Sequence, residues 1–215
     1  MEIDYLLTST RSARRVLDLD APIDFSEIRD CLRIGLHAAN GSNQQSWRWL
    51  VITDPTIRQS ISNLYRSAYL EKVGGHPIAH LITDRSPEAR VLSSTEWLVD
   101  NMAHVPMLII PCYRPFVPRT EGDASFHLAT LYGSIFPAVW NLQLALHTRR
   151  YGTCITTLHL RYEKETAALL GIPTGYVQGC LLPVARLRAG HTFGPTPRRP
   201  LEEVVAVDGW TGRPL

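Results

Sequence analysis

Asp24-Phe25-Ser26-Glu27-Ile28-Arg29-Asp30-Cys31-Leu32-Arg33-Ile34-Gly35-Leu36-His37-Ala38-Ala39, then Asn40-Gly41-Ser42-Asn43, then Trp47-Arg48-Trp49-Leu50-Val51-Ile52-Thr53, is the stretch on which the fold of this chain turns. Phe25, Ile28, Cys31, Leu32, Leu36 and Ala39 recur at helical spacing, and Asp24 with Glu27 three residues on resembles a capping arrangement, so a helix is expected over 24–39. The Asn and Gly that follow are loop residues. The run 47–53 is short, β-branched and aromatic, which predicts a strand. Asp54-Pro55 supplies an N-cap and a proline at the first helical position, opening a further helix with Ile57, Ile61, Leu64, Tyr65 and Ala68 in period.

Farther along, Gly74 to Pro87 reads as a mobile loop, Glu88 to Ala103 as a helix, and Pro106 to Tyr113 as a wholly apolar strand that must be covered on both faces. Asp123 to Arg150 is the longest helical stretch, apolar around most of its circumference, with Pro137 expected to kink it or break it in two. Gly152 to Leu160 and Val177 to Leu187 read as strands, separated by a helix over Tyr162 to Leu170 that Gly171 and Pro173 terminate. Ala189 to Pro200 is a Pro/Gly-rich connection to a terminal arm. The whole is expected to be one α+β domain spanning 1–215, with a mixed, mostly antiparallel sheet packed between helices and residues 195–215 as the arm.

A chain of 215 residues, 45% hydrophobic, can bury one sizeable core. A formal charge of +2 and a pI near 8.4 are too mild for a nucleic-acid partner. Lysine occurs only at Lys72 and Lys164, so 22 − 2 = 20 of the basic residues are arginine. Cys31, Cys112, Cys154 and Cys180 form no C-x-x-C pair and lie mostly in apolar runs, which predicts buried free thiols and a reducing, cytoplasmic setting. Met1 to Leu7 lacks the basic-then-apolar layout of a signal peptide, and no stretch approaches the roughly 20 apolar residues that span a bilayer, so no membrane association is expected. His76 and His80 have metal-pair spacing, but Pro77 and Gly74-Gly75 oppose a regular helix there, and no metal site is expected. His104, His127, His147 and His159 read as structural. No G-x-S-x-G elbow, P-loop or G-x-G-x-x-G is present, so neither a serine nucleophile nor a Rossmann-held nicotinamide is expected.

Three elements carry chemistry. Thr10-Arg11-Ser12-Ala13-Arg14-Arg15 sets three guanidiniums close together, each a planar fork of donors suited to phosphate or to ring carbonyls; a solvated basic face is the alternative. Gly41-Ser42-Asn43-Gln44-Gln45-Ser46-Trp47 offers side-chain amides that donate and accept at once, matching the edge of a heterocycle with alternating N and C=O groups; an ordinary turn is the alternative. Pro197-Arg198-Arg199-Pro200-Leu201-Glu202-Glu203-Val204-Val205 pins two arginines between prolines.

In order and spacing these elements resemble the nitroreductase family, with its early R-S-x-R-R run, its A-P-S-x-x-N-x-Q-P-W loop and its closing R-x-P-L-E-E-V-V arm. Pro137-Ala138-Val139-Trp140-Asn141-Leu142-Gln143-Leu144-Ala145-Leu146 is similar to the family's long core helix. The resemblance implies an intertwined homodimer with FMN at the subunit interface and the arm 195–215 reaching the partner. It further implies hydride passed from NADH or NADPH through FMN to a nitroaromatic, quinone or similar conjugated acceptor. Flavin fragmentation, dehalogenation, a biosynthetic redox step, or flavin binding without turnover are the alternatives within the same resemblance. Carried over by position, Arg11 and Ser12 would hold the phosphate or ribityl chain, and Arg14, with Arg15 beside it, the pyrimidine edge. Ser42, Asn43 and Gln45 would reach the flavin from the partner, Thr157 and Leu158 lie near the backbone N–H that faces N5, and Arg198 or Arg199 would meet the phosphate. A cation at Arg14 has a physical rationale, because reduced flavin gathers negative charge near N1. No side chain is required as acid or base; positioning and electrostatics suffice. The chain departs from the family at Ala39-Asn40 (for Pro-Ser), at Ser46 (for Pro) and at Gly152-Thr153-Cys154 (for Gly-Leu-Gly). The acceptor pocket is expected from 71–90 and 113–123.

Overall fold

In the computed structural model, which describes residues 2–79, 86–115 and 124–213, Met107–Tyr113 forms a strand (β3) buried at all seven positions. One edge of β3 pairs along its length with Trp47–Ile52 (β2). The other pairs with Leu182–Leu187 (β6) and with Val177–Gln178 (β5). Leu17–Asp18 (β1) and Tyr151–Thr153 (β4) add to β6, and every pairing among the described residues is antiparallel. Because strand side chains alternate between faces, β3 serves two cores. Leu108, Ile110 and Cys112 pack with Ile61, Tyr65 and Tyr69 of Pro55–Lys72 (α3) and with Leu98 and Val99 of Pro87–Asn101 (α4). Met107, Ile109 and Tyr113 pack with Leu131, Ile135, Val139 and Leu142 of Ala124–Thr148 (α5) and with Ile28 and Cys31 of Phe25–Gly35 (α2). Ile3–Ser9 (α1) and Glu163–Leu170 (α6) complete the helices. The α+β sheet between helices is the expected one.

The caps form as the sequence dictates. Asp24 accepts from Ser26 N and Glu27 N, Asp54 accepts from Thr56 N and Ile57 N ahead of Pro55, and Gly171 ends α6 at φ 63°. Several boundaries differ from expectation. The helix expected over 24–39 stops at Gly35, where the chain turns through Leu36–Ala38. That expected over 88–103 ends at Asn101 and tightens into a 3-10 turn, Met102–His104. Pro137 neither breaks nor divides α5, which runs unbroken through it; the residue four back, whose carbonyl the ring would crowd, is Gly133. The strand expected over 152–160 keeps only 151–153 and one bridge, Thr156 with Leu181, before turning into a 3-10 helix, Leu158–Tyr162. Pro183, with no N–H, stands in β6 where that ladder stops. The strand expected over 177–187 is split by a bulge. Cys112 pairs with Gln178 and Ile109 with Leu182, so three residues, 179–181, oppose two, and Gly179 N donates to Pro111 O at 2.8 Å. The expected loop 74–87, the start of the long helix at Asp123 and His80 of the histidine pair fall wholly or partly outside the described residues.

Two contacts fix β4 against its neighbours. Glu27 Oε2 accepts from Arg186 Nη2 at 2.5 Å and from the Tyr151 hydroxyl at 2.9 Å, with the Arg186 guanidinium 4.1 Å from the Tyr151 ring centroid, so the start of α2 is tied to β4 and β6. Gly152 is the tighter constraint. A Cβ there would meet Leu17 Cδ2 at 2.6 Å, Leu187 Cδ2 at 2.7 Å and Ala13 Cβ at 2.8 Å, while Ala13 N donates to Thr153 O at 2.9 Å. Gly152→Ala should therefore cost about 1–3 kcal/mol in urea unfolding, as overpacked core sites do; a variant as stable as the parent would contradict this account.

Candidate functional site

Thr10–Ala13 leads from α1 toward β1 without regular secondary structure, and Ala13 is pinned against Gly152 and Thr153. Arg14 is half-buried. Its Nη1 donates to Ser94 Oγ at 3.3 Å, its Nε is buried without a partner, and its guanidinium lies beside the thiol of Cys154. Arg15 Nη2 donates to Ser93 O at 3.0 Å and to Ser93 Oγ at 2.7 Å. Two successive arginines thus rest on two successive serines of α4. Arg11 is exposed, its guanidinium 5.9 Å from the Phe193 ring, and Ser12 is exposed.

The same neighbourhood holds the segment after β4. Cys154 is fully buried, and burial pushes its thiol up to about 11 against the opposing pull of Arg14, so it meets the guanidinium as a neutral thiol. The Tyr65 hydroxyl, pushed up to about 12 chiefly by burial, is 2.7 Å from Thr156 Oγ1 and also feels Arg14. Thr157 is exposed, and among the described residues neither its N–H nor that of Leu158 donates to a backbone carbonyl. Within one chain Arg14 and Arg15 are therefore held on α4, with Arg14 beside Cys154, three and four residues before Thr157 and Leu158. Ser93, Ser94, Tyr65, Cys154 and Thr156 belong to this neighbourhood and are not among the site residues expected from sequence. Ser93-Ser94-Thr95 inside a helix was the available signal, since such residues compete with helical hydrogen bonding.

The amide loop stands apart. Ser42, Asn43 and Gln45 hold φ of 51°, 51° and 49°, the left-handed region that costs non-glycine residues of order 1–3 kcal/mol each. Asn40 Oδ1 accepts from Gln45 N at 2.9 Å, Gln45 Nε2 donates to Asn43 Oδ1 at 3.2 Å, and Gly41 N donates to Ser134 Oγ of α5 at 3.0 Å. Ser46, where the family has proline, donates to Arg114 O at 2.7 Å and accepts from Arg114 N, extending the β2–β3 ladder by one rung. Arg198 and Arg199 are exposed, two and three residues past Thr196, whose N–H donates to Thr8 O of α1. Among the described residues no hydrogen bond or ion pair joins the loop, or these two arginines, to Arg14.

Two clefts flank these elements. One, of about 610 Å³, follows the outer edge of β2, which pairs with no strand among the described residues, between Leu36, Ile57 and Leu170. The other, about 370 Å³, lies between α3 and α4 against Tyr69, Val91, Leu92, Thr95 and Leu158, with Lys72 and Glu88 also lining it. Among the described residues no group of three or more His, Cys, Asp or Glu could hold a metal ion, and no helix is long and apolar enough to cross a membrane.

A sequence model described as "Nitroreductase family" matches residues 7–186. None of the curated proteins compared matches the chain. Among solved structures it is similar to a BluB-like flavoprotein from Clostridium difficile 630 (18% identity, TM-score 0.69, covering 96% of this chain and 98% of that one). It is similar also to an FMN- and NADPH-dependent nitroreductase from Sphigopyxis sp. strain HMH (16%, TM-score 0.67, 98% and 100%). A third likeness is to an iodotyrosine deiodinase bound to FMN and 3-iodo-L-tyrosine (19%, TM-score 0.64, 93% and 95%).

His159, in the 3-10 turn after Leu158, is fully buried with both ring nitrogens unpartnered, and burial lowers it to about 4. Its neutral form is the folded one, so its contribution to stability is complete above the unfolded value near 6.5 and lost as pH falls toward 4. Unfolding free energy should drop over that window by up to about 3 kcal/mol, and His159→Leu should flatten the drop; parallel pH profiles for parent and variant would refute it.

Proposed function

Because the chain belongs to the nitroreductase family, we propose that it is an FMN-dependent oxidoreductase that works as a homodimer and transfers electrons from NADH or NADPH to a small conjugated acceptor such as a nitroaromatic or quinone. One observation carries this reading: a half-buried arginine with an unpartnered donor, Arg14, lies beside Cys154, and the segment that follows Cys154 carries two backbone N–H groups, at Thr157 and Leu158, that donate to no backbone carbonyl among the described residues. That donor set fits the carbonyl- and nitrogen-rich edge of a flavin. Bound there, FMN would supply the acceptance of hydride and its delivery onward.

The chain's own residues would bind and orient. Arg14 would place a fixed cation at the pyrimidine edge, with Ser94 and the Cys154 thiol holding it and Arg15 beside it on Ser93. Arg11, Ser12, Arg198 and Arg199 would take the phosphate and ribityl chain. Ser42, Asn43 and Gln45, separate from Arg14 in one chain, would come from the second. Apolar exposure supports that second copy. Phe126, Leu128, Tyr132 and Trp140 on α5 are 38–62% exposed, Phe25 on α2 60% and Ile3 on α1 73%. In the arm 195–215 of this single domain, Leu201, Val204 and Trp210 are exposed, and the outer edge of β2 is a strand-length cleft that an arm from the partner would cover. The slot beside Leu158 between α3 and α4 is of a size for a small aromatic acceptor. Four buried free cysteines suit a reducing, cytoplasmic location.

Purified protein should be yellow, twice the chain mass in solution, and bleached anaerobically by NADH or NADPH; colourless protein that takes up no FMN would end this reading. Arg14→Ala should slow flavin reduction by about 100-fold, the size of a lost charge-stabilising group, while unfolding free energy moves by less than about 1 kcal/mol.

A further inference from the structure

Tyr65 is a core residue of α3, 1% exposed, whose hydroxyl has one hydrogen-bond partner among the described residues, Thr156 Oγ1 at 2.7 Å. Either oxygen could supply the proton of that bond by distance alone, but their surroundings differ. If Thr156 donated, the Tyr65 O–H would be left buried without an acceptor, a penalty of the kind folded proteins avoid. If Tyr65 donates, both groups are satisfied, because Thr156 is half-buried and can direct its own proton outward. Thr156 is otherwise immobilised. Its N–H donates to Leu181 O at 3.0 Å, and its carbonyl accepts from Leu181 N at 2.8 Å, so the backbone is clamped on both sides of the hydroxyl. The next two residues are Thr157 and Leu158, whose N–H groups donate to no backbone carbonyl among the described residues, and Arg14 lies close enough to act electrostatically on Tyr65.

Resting on the FMN reading above, we propose that Tyr65 is a positioning residue. Its buried phenol donates to Thr156 Oγ1 and thereby presents the Thr156 hydroxyl proton as a third donor, beside the N–H groups of Thr157 and Leu158, to the bound cofactor. The phenol does not touch the cofactor. It fixes the direction of a proton that a free threonine rotor would distribute among its staggered positions.

The test uses the full-length protein titrated with FMN. Tyr65→Phe keeps the ring in the core and should hold the thermal midpoint within about 5 °C of the parent. It should nonetheless weaken FMN binding by about 2- to 10-fold, the weight of one hydrogen bond, and shift the absorption bands of the bound flavin. Thr156→Val should produce the same loss and the same band shift, the double variant no more than either, and Thr156→Ser should retain parental values. Parental affinity and spectrum in Tyr65→Phe would overturn the proposal, as would losses that multiply in the double variant. If Tyr65→Phe does not fold, the Thr156 pair decides: equal affinity of the valine and serine variants overturns it. Parent protein that takes up no FMN removes the functional reading and this inference together, an outcome distinct from parent that binds and a tyrosine variant that is indifferent.

Discussion

β3 is buried on both faces and hydrogen-bonded on both edges, and most of the molecule is arranged around meeting that demand. A seven-residue strand carrying no charge cannot be left facing water on either side, so it requires a helical layer above and another below. The α3–α4 layer takes Leu108, Ile110 and Cys112, and the α5–α2 layer takes Met107, Ile109 and Tyr113. The bulge at 179–181 follows from the same strand. Pro111 has no N–H to give to a neighbour, and the opposing strand passes it with one extra residue and a glycine. That irregularity sends Leu181 away from β3 to pair with Thr156, which is how a demand of the sheet centre comes to fix the segment carrying Thr157 and Leu158.

The arginine segment is placed by a different device, the missing Cβ of Gly152. With no side chain at that position, Ala13 closes on β4 and donates to Thr153 O, which fixes where the flanking Ser12, exposed, and Arg14, half-buried, stand on the sheet. Arg14 and Arg15 then find their partners on α4, an element separated from them by some eighty residues. Two independent backbone constraints, one at a bulge and one at a glycine, thus converge on a single neighbourhood.

What could be read from the sequence divides along the same line. Elements with a strong period or a side-chain cap, namely α2, α3, α6, β2 and β3, were legible because the determinants are local: Asp24, Asp54-Pro55, Gly171 and an unbroken apolar run. The ends of β4 and the split of the 177–187 strand were not, because each depends on which strand lies opposite and on a proline in that partner. The continuity of α5 through Pro137 was hidden for a similar reason. A helix apolar around nearly all its circumference is held by packing over 25 residues, and the loss of one hydrogen bond is small against that burial. For the site, the arginines and the amide loop stood out as charge and amide clusters. Ser93, Ser94, Tyr65, Cys154 and Thr156 did not, because nothing in an isolated serine or a core tyrosine says what it will face.

The separation of the two motif clusters bears on how such a site could be assembled. The Arg14 neighbourhood is organised by one chain's own sheet and would exist in a monomer. The loop 40–46 holds three non-glycine residues in left-handed conformations, and among the described residues its hydrogen-bond partners are its own side chains, Ser134 of α5 and the end of the β2–β3 ladder. Strain of that kind persists where surrounding structure over-determines it, and here Asn40 and Ser46 supply hydrogen bonds where the family's loop has a serine and a proline. The loop so specified exposes Asn43 and Gln45 and is tied through Ser134 to the helix that exposes Phe126, Tyr132 and Trp140. A second copy presenting the Arg14 side would satisfy both the exposed apolar surface and the exposed amides at once, whereas a solvated turn would leave the strain without a return.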